Sequence, residues 1–324
     1  MNYYLAPLEG ITGYVYRNAY HAYFVDFDKY FLPFIAPHAN RSFNAKEKND
    51  LIPEHNEGMH AVPQVLTNSA EDFVRIAEDL EALGYREINL NLGCPSGTVV
   101  AKGRGSGFLA RPEELDAFLE KICAKTRLRI SIKTRVGKDS YEEWGRLLEI
   151  YNRYPLEELI VHPRIQKDFY QNQPNMETFA WAVEHSKNKL CYNGDLFTAE
   201  DFARFGSRYP KVERTMFGRG VIGNPGLLGS IKGDERPDKR KLQEFHDRLY
   251  RDYTELFSGD RNVLYKMKEI WSYQIQLFAD SEKYAKKIRK AQRAAEYEAV
   301  VRELFANVPL QCNDGMVEAC RNTE

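Results

Sequence analysis

A (β/α)₈ TIM barrel followed by a small C-terminal all-helical domain is the architecture this sequence predicts, and three observations predict it. Eight short strand-like runs alternate with helical segments between Tyr3 and Phe217. No GxGxxG follows the first run, where a dinucleotide-binding doubly wound sheet would carry it. Polar residues and glycines gather where the runs stop, as they do when strand ends build one reactive face.

The runs are Tyr3–Ala6, Lys29–Pro33, Ala61–Leu66, Glu87–Asn91, Arg129–Lys133, Glu158–His162, Leu190–Asn193 and Val212–Phe217. Between the third and fourth, Ser69 is an N-cap residue ahead of a helix whose apolar stripe is Phe73, Ile76, Ala77 and Leu80. Arg111-Pro112-Glu113-Glu114 places proline at a helix start and acids in its first turn, where the helix dipole favours them. The second repeat is the least regular, because Pro37 to Glu57 is polar and without period. The glycines of Lys102-Gly103-Arg104-Gly105-Ser106-Gly107 have the wrong spacing for a dinucleotide loop. They are expected to form a flexible loop across the barrel mouth.

Lys232 to Asp238 is a polar, breaker-containing linker, and from Lys239 to about Phe305 the pattern is helical throughout. The expected division is therefore a catalytic barrel over 1–235, a helical domain over 236–310 and a polar, poorly ordered tail over 311–324.

Composition narrows the function classes. Net charge is −1, so a nucleic-acid partner needs a local basic patch. The five cysteines (Cys94, Cys123, Cys191, Cys312, Cys320) are odd in number, widely spaced and without a CxxC pair. That argues against a disulfide framework and against a metal site, and fits a reducing cytoplasm. The N-terminus has no basic segment followed by an apolar one, and no apolar run reaches membrane-spanning length. A cytoplasmic, membrane-free protein acting as a monomer is expected.

The strand ends carry the chemistry. Strand one runs into Ala6-Pro7-Leu8, a turn whose backbone can approach a flat ligand; strand three carries Gln64. Strand four ends in Asn91-Leu92-Gly93-Cys94-Pro95, and Pro95 cannot continue a central strand. Cys94 is thus either a small apolar residue at a turn or a thiol facing a cleft. Strand five ends in Lys133 and Arg135, and strand six in His162 and Arg164. Strands seven and eight end in Asn193-Gly194-Asp195 and Gly218-Arg219, the phosphate-binding positions common in this fold. A lysine beside side-chain amides, with a phosphate site at the last two strands, suits FMN, Lys133 being the cation for its ring.

These segments resemble the tRNA-dihydrouridine synthase family. The matching stretches are Ala6-Pro7-Leu8-Glu9-Gly10, Pro63-Gln64-Val65-Leu66, Asn89 to Pro95, Ser131 to Gly137, Val161-His162-Pro163-Arg164, Asn193-Gly194-Asp195 and Met216 to Gly220, in family order. The Asn-x-Gly-Cys-Pro element and the Lys-x-Arg pair are the specific ones. The resemblance implies that NADPH reduces FMN, that hydride reaches C6 of a uridine extruded from tRNA, and that Cys94 protonates C5. It places Ala6, Pro7, Leu8, Gln64, Lys133, His162, Asn193, Gly194, Asp195, Gly218 and Arg219 around the flavin. Asn91, Arg135 and Arg164 fall on the substrate side. Pro163 stands where the family more often has glycine, so a stiffer loop is expected after His162.

From Arg261 to Arg293 there are nine basic and three acidic residues. Lys283, Lys286, Lys287 and Lys290 recur at helical spacing and share a face, with Tyr284, Trp271 and Tyr273 nearby. Such a face is either an ordinary solvated surface or, with Lys268, a grip on tRNA phosphates with aromatic stacking. Two other functions remain open on the residues alone: an FMN barrel acting on a free pyrimidine, as a dihydroorotate-type dehydrogenase does, and a barrel that binds RNA without catalysis.

Overall fold

The computed structural model describes residues 1–38, 43–234 and 238–311; the expected tail, apart from Gln311, and the middle of the expected linker lie outside the described residues. Among the described residues there are nine strands, all parallel: β1 Asn2–Leu5, β2 Lys29–Phe31, β3 Ala61–Val62, β4 Gln64–Val65, β5 Glu87–Leu92, β6 Arg129–Gly137, β7 Leu159–Ile165, β8 Leu190–Tyr192 and β9 Arg214–Phe217. They pair in the order β3-β2-β1-β9-β8-β7-β6-β5-β4. The two ends of that order are consecutive in the chain and interrupted only at Pro63, which has no N–H for the ladder. β3 and β4 are therefore the single run expected from Ala61 to Leu66, and nine strands make the eight staves of a nearly closed barrel. The fold class is the one the sequence predicts.

The helices between staves form where the pattern places them. Ser69 caps Ala70–Ala82 by accepting from the Asp72 N–H, and Phe73, Ile76, Ala77 and Leu80 are its buried stripe. Pro112 opens Pro112–Lys125 at its first turn. The polar second repeat also holds a helix, Ala45–Leu51, started by a reciprocal capping box between Asn44 and Glu47. Its short length hides it from a periodicity reading.

Two expectations are corrected. The glycine cluster is not a flexible loop: Gly105–Ala110 is a 3₁₀ turn with Gly105 to Leu109 buried. Phe108 packs edge-on against Phe118 and pulls the segment into the core. Nor is Pro163 in a loop, since β7 runs through it to Ile165. Pairing passes from Arg135–His162 to Gly137–Ile165, so β7 carries one extra residue there, and a bulge tolerates a proline that cannot donate.

The barrel interior is unusually polar at its N-terminal end. Lys29 Nζ lies 2.7 Å from Glu87 and 2.8 Å from Glu158. Tyr4 Oη donates to Glu158 at 2.8 Å, and Ser131 Oγ donates to Glu87 at 3.0 Å. Burial opposes charge on Lys29, but the two carboxylates outweigh it and raise its pKa. Burial likewise leaves the Glu158 carboxyl raised despite the ammonium beside it. The network holds because each charge has partners.

The chain divides into two compact units. One contains all the staves and comprises Met1–Pro7, Phe27–Asp195 and Tyr209–Phe217. The other comprises Leu8–Asp26, Leu196–Arg208 and the chain from Gly218 onward. In this second unit, Phe245 of helix Lys239–Leu256 meets Tyr16 and Phe24 edge-on at 5.7 and 5.1 Å. Its centre is Tyr297, whose hydroxyl accepts from Trp271 Nε1 at 2.8 Å and lies 2.7 Å from His246 Nε2.

Lys29→Met leaves two buried carboxylates without their ammonium. We expect about 3–5 kcal/mol of lost stability in urea denaturation; a loss below about 1 kcal/mol would contradict this account of the network.

Candidate active site

Alternation along the strands brings the sequence-predicted amides together. Gln64 Nε2 donates to Asn89 Oδ1 at 2.8 Å, and Asn91 Nδ2 donates to Gln64 Oε1 at 2.7 Å. Asn89 in turn donates to Ser131 Oγ at 2.9 Å, so the chain of amides is anchored on the ionic network below it. Asn89 and Ser131 were missed by the sequence reading. The period of two that puts Asn89 on the face of Asn91, and Ser131 on that of Lys133, would have found both.

Asn91 also builds the turn that holds the thiol. Its Oδ1 accepts from the Gly93 and Cys94 N–H groups at 3.0 and 2.9 Å. The Cys94 carbonyl accepts from the Ser106 N–H at 3.1 Å and from Ser106 Oγ at 2.8 Å. Gly105 (φ +55°) makes that approach possible: a Cβ there would lie 2.8 Å from the Cys94 carbonyl oxygen. Cys94 is half-buried, whereas burial pushes the Cys123 thiol up to about 11 and the Cys191 thiol well above its ordinary value. Cys312 and Cys320 lie outside the described residues. Among the described cysteines, Cys94 alone sits in a strand-end turn fixed by hydrogen bonds.

Lys133 follows Ser131 on β6 with the same facing. Its ammonium has no hydrogen bond or ion pair with any described residue. Burial, with a smaller contribution from Arg135, pushes it down to about 8, against a weak opposing pull from Cys191 and Cys94. A half-buried cation without a partner is costly unless something else supplies the negative or electron-rich group.

The two arginines do something other than the sequence suggests. Arg135 is fully buried and spends its guanidinium on carbonyls: Nε on Gly93 at 3.0 Å, and its terminal nitrogens on Ile165 and Phe169, each at 2.7 Å. Arg164 is equally buried, forms a bidentate pair with Asp195 at 3.0 and 2.6 Å, and donates to the Asn172 carbonyl at 2.6 Å. Neither guanidinium has the freedom expected of a direct substrate contact; both position others. Arg164 also stands 2.8 Å from His162 Nε2. An arginine can only donate, so that nitrogen accepts and His162 carries its proton on Nδ1. Asp195, expected at the phosphate, holds Arg164 instead.

The remaining positions are placed as follows. Ala6 is buried and donates to the Phe217 carbonyl at 2.8 Å. Pro7 closes the same segment of the barrel unit, and Leu8, in the second unit, donates to Thr12 Oγ1 at 2.8 Å. Asn193 donates from Nδ2 to the Met216 carbonyl at 3.0 Å. Gly194 has no room for a side chain, since a Cβ would come within 2.0 Å of Tyr192 Oη. In the second unit, Gly218 precedes the short helix Arg219–Gly223, and the Arg219 guanidinium lies 5.4 Å over the Phe197 ring.

The lysines Lys283, Lys286, Lys287 and Lys290 are all exposed on helix Glu282–Lys290, whose buried residues are Tyr284 and Ile288; the Lys283 and Lys287 ammoniums lie over the Tyr284 ring at 4.8 and 5.7 Å. Lys287 pairs with Glu303 at 3.3 Å. Lys268 donates to the Ala291 carbonyl at the end of that helix. The expected stacking by Trp271 and Tyr284 is not available, because both rings are core residues. The exposed aromatic here is Tyr265, 68% exposed, beside a cavity of about 610 Å³ lined also by Arg261 and Lys268. No periodicity distinguishes it from its neighbours.

A model of the dihydrouridine synthase (Dus) family matches residues 4–308. The chain belongs to the dihydrouridine synthase family. It is 27% identical over 243 residues to a probable tRNA-dihydrouridine synthase of Staphylococcus epidermidis, covering 68% of this chain and 69% of that one. It is 24% identical over 226 residues to tRNA-dihydrouridine synthase B of Pasteurella multocida, covering 69% and 67%. The fold is also that of morphinone reductase solved with tetrahydroNAD (TM-score 0.50, 13% identity, 74% of this chain and 89% of that one). Membership of the dihydrouridine synthase family makes the chain a flavin-dependent oxidoreductase. Among the described residues no helix is long and apolar enough to cross a membrane.

The depressed Lys133 gives a signed pH dependence. Between about 8 and its ordinary 10.5 the unfolded chain holds the proton that the folded chain has lost. Ligand-free protein should therefore gain stability with rising pH in that window, relative to Lys133→Met. Urea denaturation of both at pH 7.5 and pH 10 measures the difference; equal slopes would mean that Lys133 titrates normally.

Proposed function

We propose that this protein is a tRNA-dihydrouridine synthase that uses FMN and NADPH and works in the cytoplasm. The observation that carries the reading is Lys133, a half-buried ammonium without a partner among the described residues, beside Asn91 in the β5–β6 pairing. An electron-rich ring with carbonyls on its edge satisfies that cation, and the amide pair can meet the donors and acceptors of such an edge. These residues fit FMN, with His162 Nδ1–H as a further donor. Asn193 and Gly194 are proposed for its phosphate, and Ala6 and Pro7 for the backbone beside its ring. Bound and reduced by NADPH, FMN supplies hydride for C6 of the uracil ring.

Cys94 supplies the proton. Hydride at C6 leaves charge at C5 and on the C4 carbonyl, and a general acid must quench it. The Asn91–Ser106 cradle fixes the backbone that carries the Cys94 thiol. Asn91 holds a uracil carbonyl, so the charge that develops is stabilised where it forms. Arg135 and Arg164 hold the cradle and His162 in place.

The exposed lysines of helix Glu282–Lys290 serve the tRNA backbone, with Lys268 and Arg261 flanking Tyr265 as a second contact. An enzyme acting on one base of a polymer needs affinity for the phosphates around it. On this reading residues 1–235 are the catalytic domain, 236–310 the tRNA-binding domain, and the protein acts as a monomer.

The deciding experiment incubates unmodified tRNA with protein, FMN and NADPH and maps dihydrouridine by mass spectrometry. Product at a defined site supports the reading; a flavin-loaded protein that gives none across a tRNA pool, yet reduces a free pyrimidine, replaces it. Cys94→Ala should retain FMN and tRNA binding while dihydrouridine formation falls about 10²–10⁴-fold, and undiminished turnover would remove Cys94 as the acid. The double variant Lys286→Glu/Lys290→Glu, which spares the Lys287–Glu303 pair, should weaken tRNA binding and flatten its salt dependence while FMN stays bound. An unchanged salt slope would mean that this face is ordinary surface.

A further inference from the structure

One residue beside the site is held in a conformation that its own chemistry disfavours. Phe169 has φ +46° and ψ −106°, at the second position of a four-residue turn closed by the Gln171 N–H on the Asp168 carbonyl at 2.9 Å. These are the dihedrals of a type II′ turn, whose second position is glycine's. The backbone is fixed from both sides. The Asp168 carboxylate accepts from the Ile165 N–H at 3.0 Å, from Tyr141 Oη at 2.6 Å and from Asn172 Nδ2 at 2.6 Å. The Phe169 carbonyl is the one that Arg135 holds, together with that of Gly93 next to Cys94.

Packing does not explain the phenylalanine. Its side chain is 41% exposed and makes no ring contact with any described residue. A glycine would satisfy the turn, and a polar residue would suit the exposure. The neighbouring Tyr170 ring lies 6.0 Å from His162 and under the Arg135 guanidinium at 5.4 Å, so the turn stands directly beside the candidate site. Strain held in place at such a position points to a contact made only when substrate is bound.

We propose that Phe169 stacks on the nucleotide bordering the extruded uridine, filling the gap left in the RNA stack. This rests on the tRNA reading above. Pulling one base out of a stack bares the flat apolar face of the next, and an exposed aromatic ring covers it without regard to sequence. The shared hold of Arg135 on Gly93 and Phe169 fixes the distance between the acid turn and this wedge. Phe169 is thus a substrate-contacting residue that sets affinity for structured RNA.

The test uses the FMN-loaded full-length enzyme and an unmodified tRNA transcript, comparing wild type with Phe169→Gly and Phe169→Trp. Phe169→Gly should unfold at the same or a higher temperature, since the turn is relieved, and keep its FMN. Its kcat/KM for dihydrouridine formation should fall tenfold or more, with tRNA affinity reduced, and Phe169→Trp should restore most of both. An unchanged kcat/KM and affinity in Phe169→Gly, a parallel loss of melting temperature, or a tryptophan variant no better than glycine would each overturn the proposal. Should wild type form no dihydrouridine, the enzyme reading fails by itself, and unchanged tRNA affinity in Phe169→Gly then overturns the wedge.

Discussion

The guanidinium of Arg135 accepts nothing and donates to three backbone carbonyls, on Gly93, Ile165 and Phe169. Ile165 ends β7, Phe169 lies in the turn after it, and Gly93 belongs to the turn that presents Cys94. Loops at strand ends are ordinarily the mobile part of a barrel, since few backbone groups there find partners within the sheet. A buried planar cation with donors in a fixed fork ties these two loops to one another and to β6. It shares the hold on the Cys94 turn with Asn91 and Ser106, and the hold on the strained Phe169 turn with Asp168. Leaving it buried is tolerable because every carbonyl it meets would itself need a donor.

Below it, the interior of the barrel is graded from ionic to amide to cationic. Lys29 pairs with Glu87 and Glu158 at the N-terminal end, where Arg214 also reaches Glu158 at 3.5 Å, Ser131 and Asn89 pass the hydrogen bonds upward, and Gln64 and Asn91 finish them near Cys94. Lys133 stands at the top of this ladder without a partner among the described residues. Buried polar groups are stable when each is satisfied and costly when one is not. This hydrogen-bonded ladder thus carries an ammonium without a partner among the described residues at the end where barrels bind ligands.

The second unit follows the same logic with different chemistry. Trp271 is spent inside on the Tyr297 hydroxyl and the buried Tyr284 donates to Glu303, while the lysines of helix Glu282–Lys290 and Tyr265 stay in solvent. Aromatic rings at helical spacing fill cores first, because burying them is worth more than exposing them. Among the rings of the helical segment, spacing alone does not separate Trp271 from Tyr265.

The sequence by itself determined the barrel, its helical appendix and the strand-end positions of Gln64, Asn91, Cys94, Lys133 and His162, because alternation and chain-breaking residues are local signals. It did not reveal that Pro163 sits within a stave, since a bulge lets a strand continue where a lone proline reads as an end. It assigned Arg135, Arg164 and Asp195 to ligands, whereas the folded chain uses them on one another and on carbonyls. Which partner a long charged side chain takes depends on distances between strands far apart in sequence, and those exist only once the barrel has closed. The left-handed Phe169 turn belongs to the same class: Asp168 and Arg135 impose it from outside, and nothing in the local residues asks for it.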